Sequence, residues 1–94
     1  MWDWDEDKRR LNRAKHGLDF AEIARFDWAS ASIAPDGRLD YGEVRLIAIR
    51  LIGDRLHVVI FTRRGPMIRV ISLRKANARE QNRWRISRTP GPAS

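Results

Sequence analysis

The chain has 94 residues, 43% of them hydrophobic, no cysteine, and a formal net charge of +7. That length suits one small domain with one core, and the missing cysteines exclude disulfides, thiolate zinc sites and thiol nucleophiles. The acidic, Trp-rich start from Trp2 to Asp7 is unlike a secretory signal, and no apolar stretch approaches the roughly 20 residues that cross a bilayer, so a soluble, cytoplasmic protein without a membrane partner is expected.

Asp5, followed by Glu6 and Asp7, reads as a helix cap, because its side-chain oxygen accepts a free backbone N–H and early carboxylates suit the helix dipole. The helix runs to His16. Lys15 and His16 fall in its last turn, Gly17 supplies the left-handed closing residue, and Leu11 and Ala14 form its inward side. Asp19 then caps a second helix, with Glu22 three positions on and Phe20, Ile23 and Ala24 as the buried stripe. Ser30 to Ala34 suits a strand, and Pro35-Asp36-Gly37 is a turn signature. After Tyr41-Gly42 the pattern turns β-branched. The runs 44–52, 56–62 and 67–73, separated by Gly53-Asp54 and Gly65-Pro66, predict an antiparallel meander. Asn77 with Glu80 opens a last helix whose Trp84 and Ile86 dock on the body. Residues 87–94, with two prolines and a glycine, read as a frayed tail. The expectation is an α+β domain over residues 1–86: two N-terminal helices on an antiparallel sheet of three to four strands, with a short C-terminal helix.

Charge divides sharply along this order. Up to Val44 there are 10 acidic against 7 basic residues, and from Arg45 on there are 2 against 12, so the halves carry −3 and +10. Most cations of the second half are arginines threaded through strand-type runs, which points to a folded surface for a polyanion, above all nucleic acid. That half offers only Asp54 and Glu80 as partners, so most of its arginines are expected to lack an internal mate. Arg45, Arg50 and Arg55 suit either a solvated strand edge or a ligand surface. Arg64, Arg69, Arg74 and Lys75 lie at strand ends or beside Ser72, where phosphate contact is the stronger reading. Strict alternation sets Met67, Arg69, Ile71 and Leu73 on one face of the last strand and Ile68, Val70, Ser72 and Arg74 on the other.

The two imidazoles, His16 and His57, come with no spacing that suggests a metal site, so neither a metal nor another cofactor is expected. His16 suits either proton transfer near neutral pH or a cation at a helix end. His57 reads as an exposed or half-buried strand residue. Trp4 and Trp28 suit the core. Trp84, among Arg79, Arg83 and Arg85, either docks or stacks on a base.

The start Trp4-Asp5-x-x-Lys8, the helix end Lys15-His16-Gly17-Leu18-Asp19-Phe20, the approach Asp40-Tyr41-Gly42-Glu43 and the run from Arg69 to Ala76 with Arg79-Glu80 together resemble the BrnT toxins. This resemblance implies a RelE-like fold and a ribonuclease of a type II toxin-antitoxin system that arrests translation. It also implies a BrnA-type ribbon-helix-helix antitoxin, a 2:2 heterotetramer, and operator DNA bound through the antitoxin to repress the operon. The chain departs from the family pattern at Arg50, at Leu73 where alanine is common, and at Phe61 where a tyrosine hydroxyl would be available to a phosphate. On this basis Arg64, Arg69 and Arg74 are expected to converge as a clamp on the scissile phosphate, with His16 moving the proton. Lys15, Arg63, Ser72, Lys75 and Arg79 are expected to hold the flanking RNA. The competing reading is a basic module that binds nucleic acid, or serves regulation, without catalysis.

Overall fold

A computed structural model describes residues 2–35 and 44–88. The turn expected at Pro35-Asp36-Gly37, the Tyr41-Gly42 approach and the tail from residue 89 onward lie outside the described residues. The order is β1 (Trp2–Trp4), α1 (Glu6–His16), 3-10 segments at Phe20–Arg25 and Trp28–Ser30, β2 (Ser32–Pro35), β3 (Leu46–Ile52), β4 (Arg55–Arg64), β5 (Met67–Lys75) and α2 (Ala78–Arg88).

Local chemistry sets most of these boundaries. The Asp5 carboxylate accepts from the backbone N–H of Asp7 (2.8 Å) and Lys8 (3.2 Å), and Gly17 closes α1 at φ 71°, its N–H donating to the Arg13 carbonyl. The two-residue turns of the β3–β4 and β4–β5 hairpins each begin with glycine at positive φ, Gly53 at 63° and Gly65 at 59°. A glycine at the first central position matches the right-handed twist of the flanking strands. Asn77 and Glu80 exchange backbone-to-side-chain bonds of 2.8 and 2.9 Å, the reciprocal cap that starts α2.

The sheet is five-stranded and mixed, in the order β1-β5-β4-β3-β2. The meander is antiparallel as expected, but Trp2–Trp4 adds a further strand, parallel to Ile68–Val70 of β5. Only three residues long, this strand carries too little alternation to be read from sequence, and its indoles at 2 and 4 both pack on the core. The second helix is also corrected: Phe20–Arg25 is 3-10 rather than α, with its Asp19 cap and its buried Phe20 and Ile23 as expected. The segment is too short to gain from the α-helical register. The last helix runs to Arg88, two residues beyond the expected domain end.

Two apolar layers flank the sheet. One holds Phe20, Ile23, Phe26, Ala48, Ile52, Val59, Phe61, Val70 and Leu73, with Trp2, Trp4 and Trp28 packed against it. Trp28 meets Phe26 and Phe61 edge-on at 4.8 and 5.1 Å, contacts worth about 0.5–1.5 kcal/mol each beyond area burial. Phe61, where the resemblance led a tyrosine hydroxyl to be expected, is thus fully buried in this core. The second layer is smaller: Leu56, Val58 and Ala76, covered by Ile47, Ile49, Leu51 and Trp84 of α2.

A bulge opposite Ile60 and Phe61 shifts the β5 register from Val70 to Ser72. Val70 and Leu73, three apart, therefore both enter the same core, which strict alternation forbids. Beyond the bulge the faces are exchanged relative to the sequence pattern. Arg69 (opposite Thr62), Ser72 (opposite Ile60) and Arg74 (opposite Val58) come onto one face, the side of the smaller layer.

Candidate functional site

Helix α1 lies along the edge of β5 that β1 leaves uncovered. Its inward stripe is polar: Asp5, Arg9, Asn12 and His16 are the residues withdrawn from solvent, whereas Leu11, expected inside, is 70% exposed. Arg9 grips Asp19 through two bonds of 2.8 Å, joining α1 to the cap of the following 3-10 segment. That fork holds the Asp19 carboxyl down at about 2 and pushes the Arg9 guanidinium above its ordinary value.

Where the last two turns of α1 meet the strand, Lys8, Leu11, Asn12, Lys15, His16, Ile71 and Ser72 line an open groove of about 190 Å³. His16 is half-buried there. Burial, then the charges of Lys15 and Arg74, lower its pKa, so the imidazole is held neutral at physiological pH and able to accept a proton. The structure thus brings Lys15, His16, Ser72 and Arg74 together at one edge of the sheet.

The remaining cations do not converge on that point. Arg69 and Arg74 share a face, but they stand about 15 Å apart along β5 at the usual strand rise, and Arg64 lies farther still, at the β4–β5 turn. The expected three-arginine pocket is instead a row, with Arg69 and Arg74 five residues apart on extended β5 and Arg64 at the end of β4. Two of its members also have carboxylate partners: Arg69 bonds Asp3 of β1, which a count within the second half overlooked, at 3.2 Å, and Arg74 forks onto Glu80, which that count included, at 2.7 and 2.9 Å. Arg74 holds Glu80 below its ordinary value, and the same carboxylate caps α2. Arg63 and Lys75 fall on the opposite face, by their pairing with Ile68 and His57. Arg79 is exposed in the first turn of α2. Among the described residues Lys8, Lys15, Arg63, Lys75 and Arg79 make no side-chain hydrogen bond or ion pair.

His57 is buried, its Nδ1 2.8 Å from the Arg55 carbonyl, and burial lowers its pKa; it belongs to the packing and lies away from the groove. Trp84 docks on the smaller layer, with the Arg50 guanidinium 5.8 Å from its ring centre. Among the described residues no three His, Asp or Glu side chains gather as a ligand set. Sequence reasoning missed Asn12 and gave Lys8 no role at the site. The available signal was their spacing, four and eight residues before His16, which sets all three on one side of a helix.

The molecule is thus a small α+β domain with a row of arginines across one sheet face and a half-buried imidazole in a groove at its edge. Residues 4–80 match the family described as the ribonuclease toxin, BrnT, of type II toxin-antitoxin systems, and the chain belongs to that family. Membership implies an RNA substrate and an antitoxin partner. No curated protein gives a significant match. Among the described residues no helix is long and apolar enough to cross a membrane.

Proposed function

We propose that the chain cleaves RNA without a metal ion, in the groove between α1 and β5. Neutral His16 takes the proton of a ribose 2′-hydroxyl, the 2′-oxygen bonds the adjacent phosphorus, and the bond from phosphorus to the 5′-oxygen breaks, the leaving oxygen taking its proton from solvent. The products are a 2′,3′-cyclic phosphate and a free 5′-hydroxyl. Lys15 and Arg74 neutralise charge on the phosphoryl oxygens, where a well-aimed donor contributes on the order of 10²-fold or more in rate. Arg64, Arg69, Ser72 and Arg79 track the flanking strand, while Arg63 and Lys75 hold RNA that passes to the other face.

The carrying observation is the half-buried imidazole held neutral among cations, in a groove open to a polymer. A BrnA-type ribbon-helix-helix antitoxin, in a 2:2 assembly, neutralises the toxin and represses the shared operon through operator DNA. The test incubates partner-free protein with end-labelled RNA, with and without chelator. Cyclic-phosphate ends in both arms support the scheme, and cleavage lost to the chelator overturns its metal independence. Intact RNA under tight, salt-sensitive binding is the result expected of a non-catalytic module.

A further inference from the structure

We infer that Asn12 is the positioning residue of this groove: its carboxamide stands in for a strand peptide on the open edge of β5 and thereby fixes the His16 imidazole relative to Ser72 and Arg74. The catalytic consequence, though not the clamp itself, rests on the ribonuclease reading above.

β1 covers β5 only from Ile68 to Val70. Farther along, Leu73 turns both backbone polar groups toward the uncovered edge, and Asn12 meets both. Its Oδ1 accepts from the Leu73 N–H at 3.1 Å, and its Nδ2 donates to the Leu73 carbonyl at 2.8 Å. The second amide hydrogen goes to the Leu18 carbonyl at 3.2 Å, and the Ser72 hydroxyl lies 3.5 Å from Oδ1. Asn12 itself is only 7% exposed. One carboxamide therefore ties together the helix, the strand and the loop after the helix.

His16 follows Asn12 by four residues, on the same side of α1, and Leu18 follows His16 by two. The segment bearing the imidazole is consequently pinned at both ends. The groups that face this imidazole are Lys15 on its own helix, Arg74 from β5, and Lys8 in the groove wall. Few side chains satisfy these partners: aspartate lacks the donors, a hydroxyl has one, and glutamine carries the same groups one carbon too far out. A helix displaced by about 1 Å can lose on the order of 10²-fold in rate by misplacing the reacting group.

Two measurements test the assignment. In the unaltered protein the Leu73 amide is expected to be protected from hydrogen exchange as strongly as the β4–β5 ladder; exchange at the rate of a frayed edge overturns the clamp. In Asn12→Ala and Asn12→Gln, turnover is expected to fall on the order of 10²-fold with KM nearly unchanged, and the imidazole, followed by NMR titration, to move back toward its ordinary pKa. Variants that melt earlier but keep turnover and titration unchanged overturn the positioning role. Should neither variant fold, the Leu73 exchange still decides. If the unaltered protein cleaves no RNA, the ribonuclease reading fails by itself, while exchange and titration continue to judge Asn12.

Discussion

Replacing Asp19 with Asn separates the charge of the Arg9–Asp19 fork from its geometry. Asparagine keeps an oxygen to cap the 3-10 segment, a role Asp19 fills by accepting from the Ala21 N–H at 3.0 Å. What is lost is the carboxylate under Arg9. Its pKa stands at about 2 in the fold against an ordinary 3.8, and at about 1.4 kcal/mol per unit, reduced for a partly solvated pair, the charge contributes about 1–2 kcal/mol. Because the folded-state value is the lower one, the unfolded chain takes up the proton first. The contribution is therefore complete above about pH 4 and is lost as pH falls through about 2. The assay is urea unfolding of both proteins at pH 7, 4 and 2.5. Asp19→Asn is expected to be less stable by about 1–2 kcal/mol at pH 7, about 5–15 °C in Tm for a domain of this size, with the gap narrowing toward pH 2.5. A gap that stays constant with pH, or no gap at pH 7, refutes the reasoning.

Two further outcomes follow from the groove. His16→Ala is expected to slow cleavage on the order of 10²–10⁴-fold while RNA still binds; in the unaltered protein the acid limb of kcat/KM, lost as the imidazole protonates, is expected below the ordinary 6.5, and a midpoint above that value counts against His16 as the base. Glu80→Gln removes the charge that offsets Arg74, so RNA affinity is expected to rise a few-fold and the slope of log K against log salt to steepen by about 0.7, measured by fluorescence anisotropy; unchanged affinity and slope separate Arg74 from RNA contact.

The parts of this fold that sequence exposed are those governed by local chemistry. Asp5 and Gly17 bracket α1, Asn77 and Glu80 open α2, and the glycine turns divide the meander, because caps and tight turns are satisfied within a few residues of chain. The inward face of α1 escaped the same reading. Apolar periodicity assumes that a helix buries hydrocarbon, but α1 buries Asn12 and half-buries Arg9 and His16, and the partners of Asn12 and Arg9, Leu73 and Asp19, lie outside the helix. The face carrying Arg74 also escaped, since the bulge near Ile71 exchanges the pattern midway along β5. No signal within the strand announces a bulge without a glycine. Both failures fall on the candidate site, where the chain sets polar groups against its own apolar pattern.

The division of charge along the sequence overstates its division in space. Asp3, from the acidic half, reaches Arg69 on β5, and Glu80, one of only two acidic residues in the basic half, takes Arg74. A cation already paired in the free protein exchanges one partner for another when a phosphate arrives, and such an exchange releases fewer counterions than the capture of a phosphate by an unpaired one. The salt dependence of RNA binding is therefore expected to rest chiefly on cations without a hydrogen-bonded or ion-paired partner among the described residues, which include Lys8, Lys15, Arg63, Lys75 and Arg79. Two of these line the groove beside His16. Of the three arginines proposed for the clamp, Arg69 and Arg74 are each held by a carboxylate, Asp3 and Glu80, so a phosphate that reaches either is expected to displace that partner.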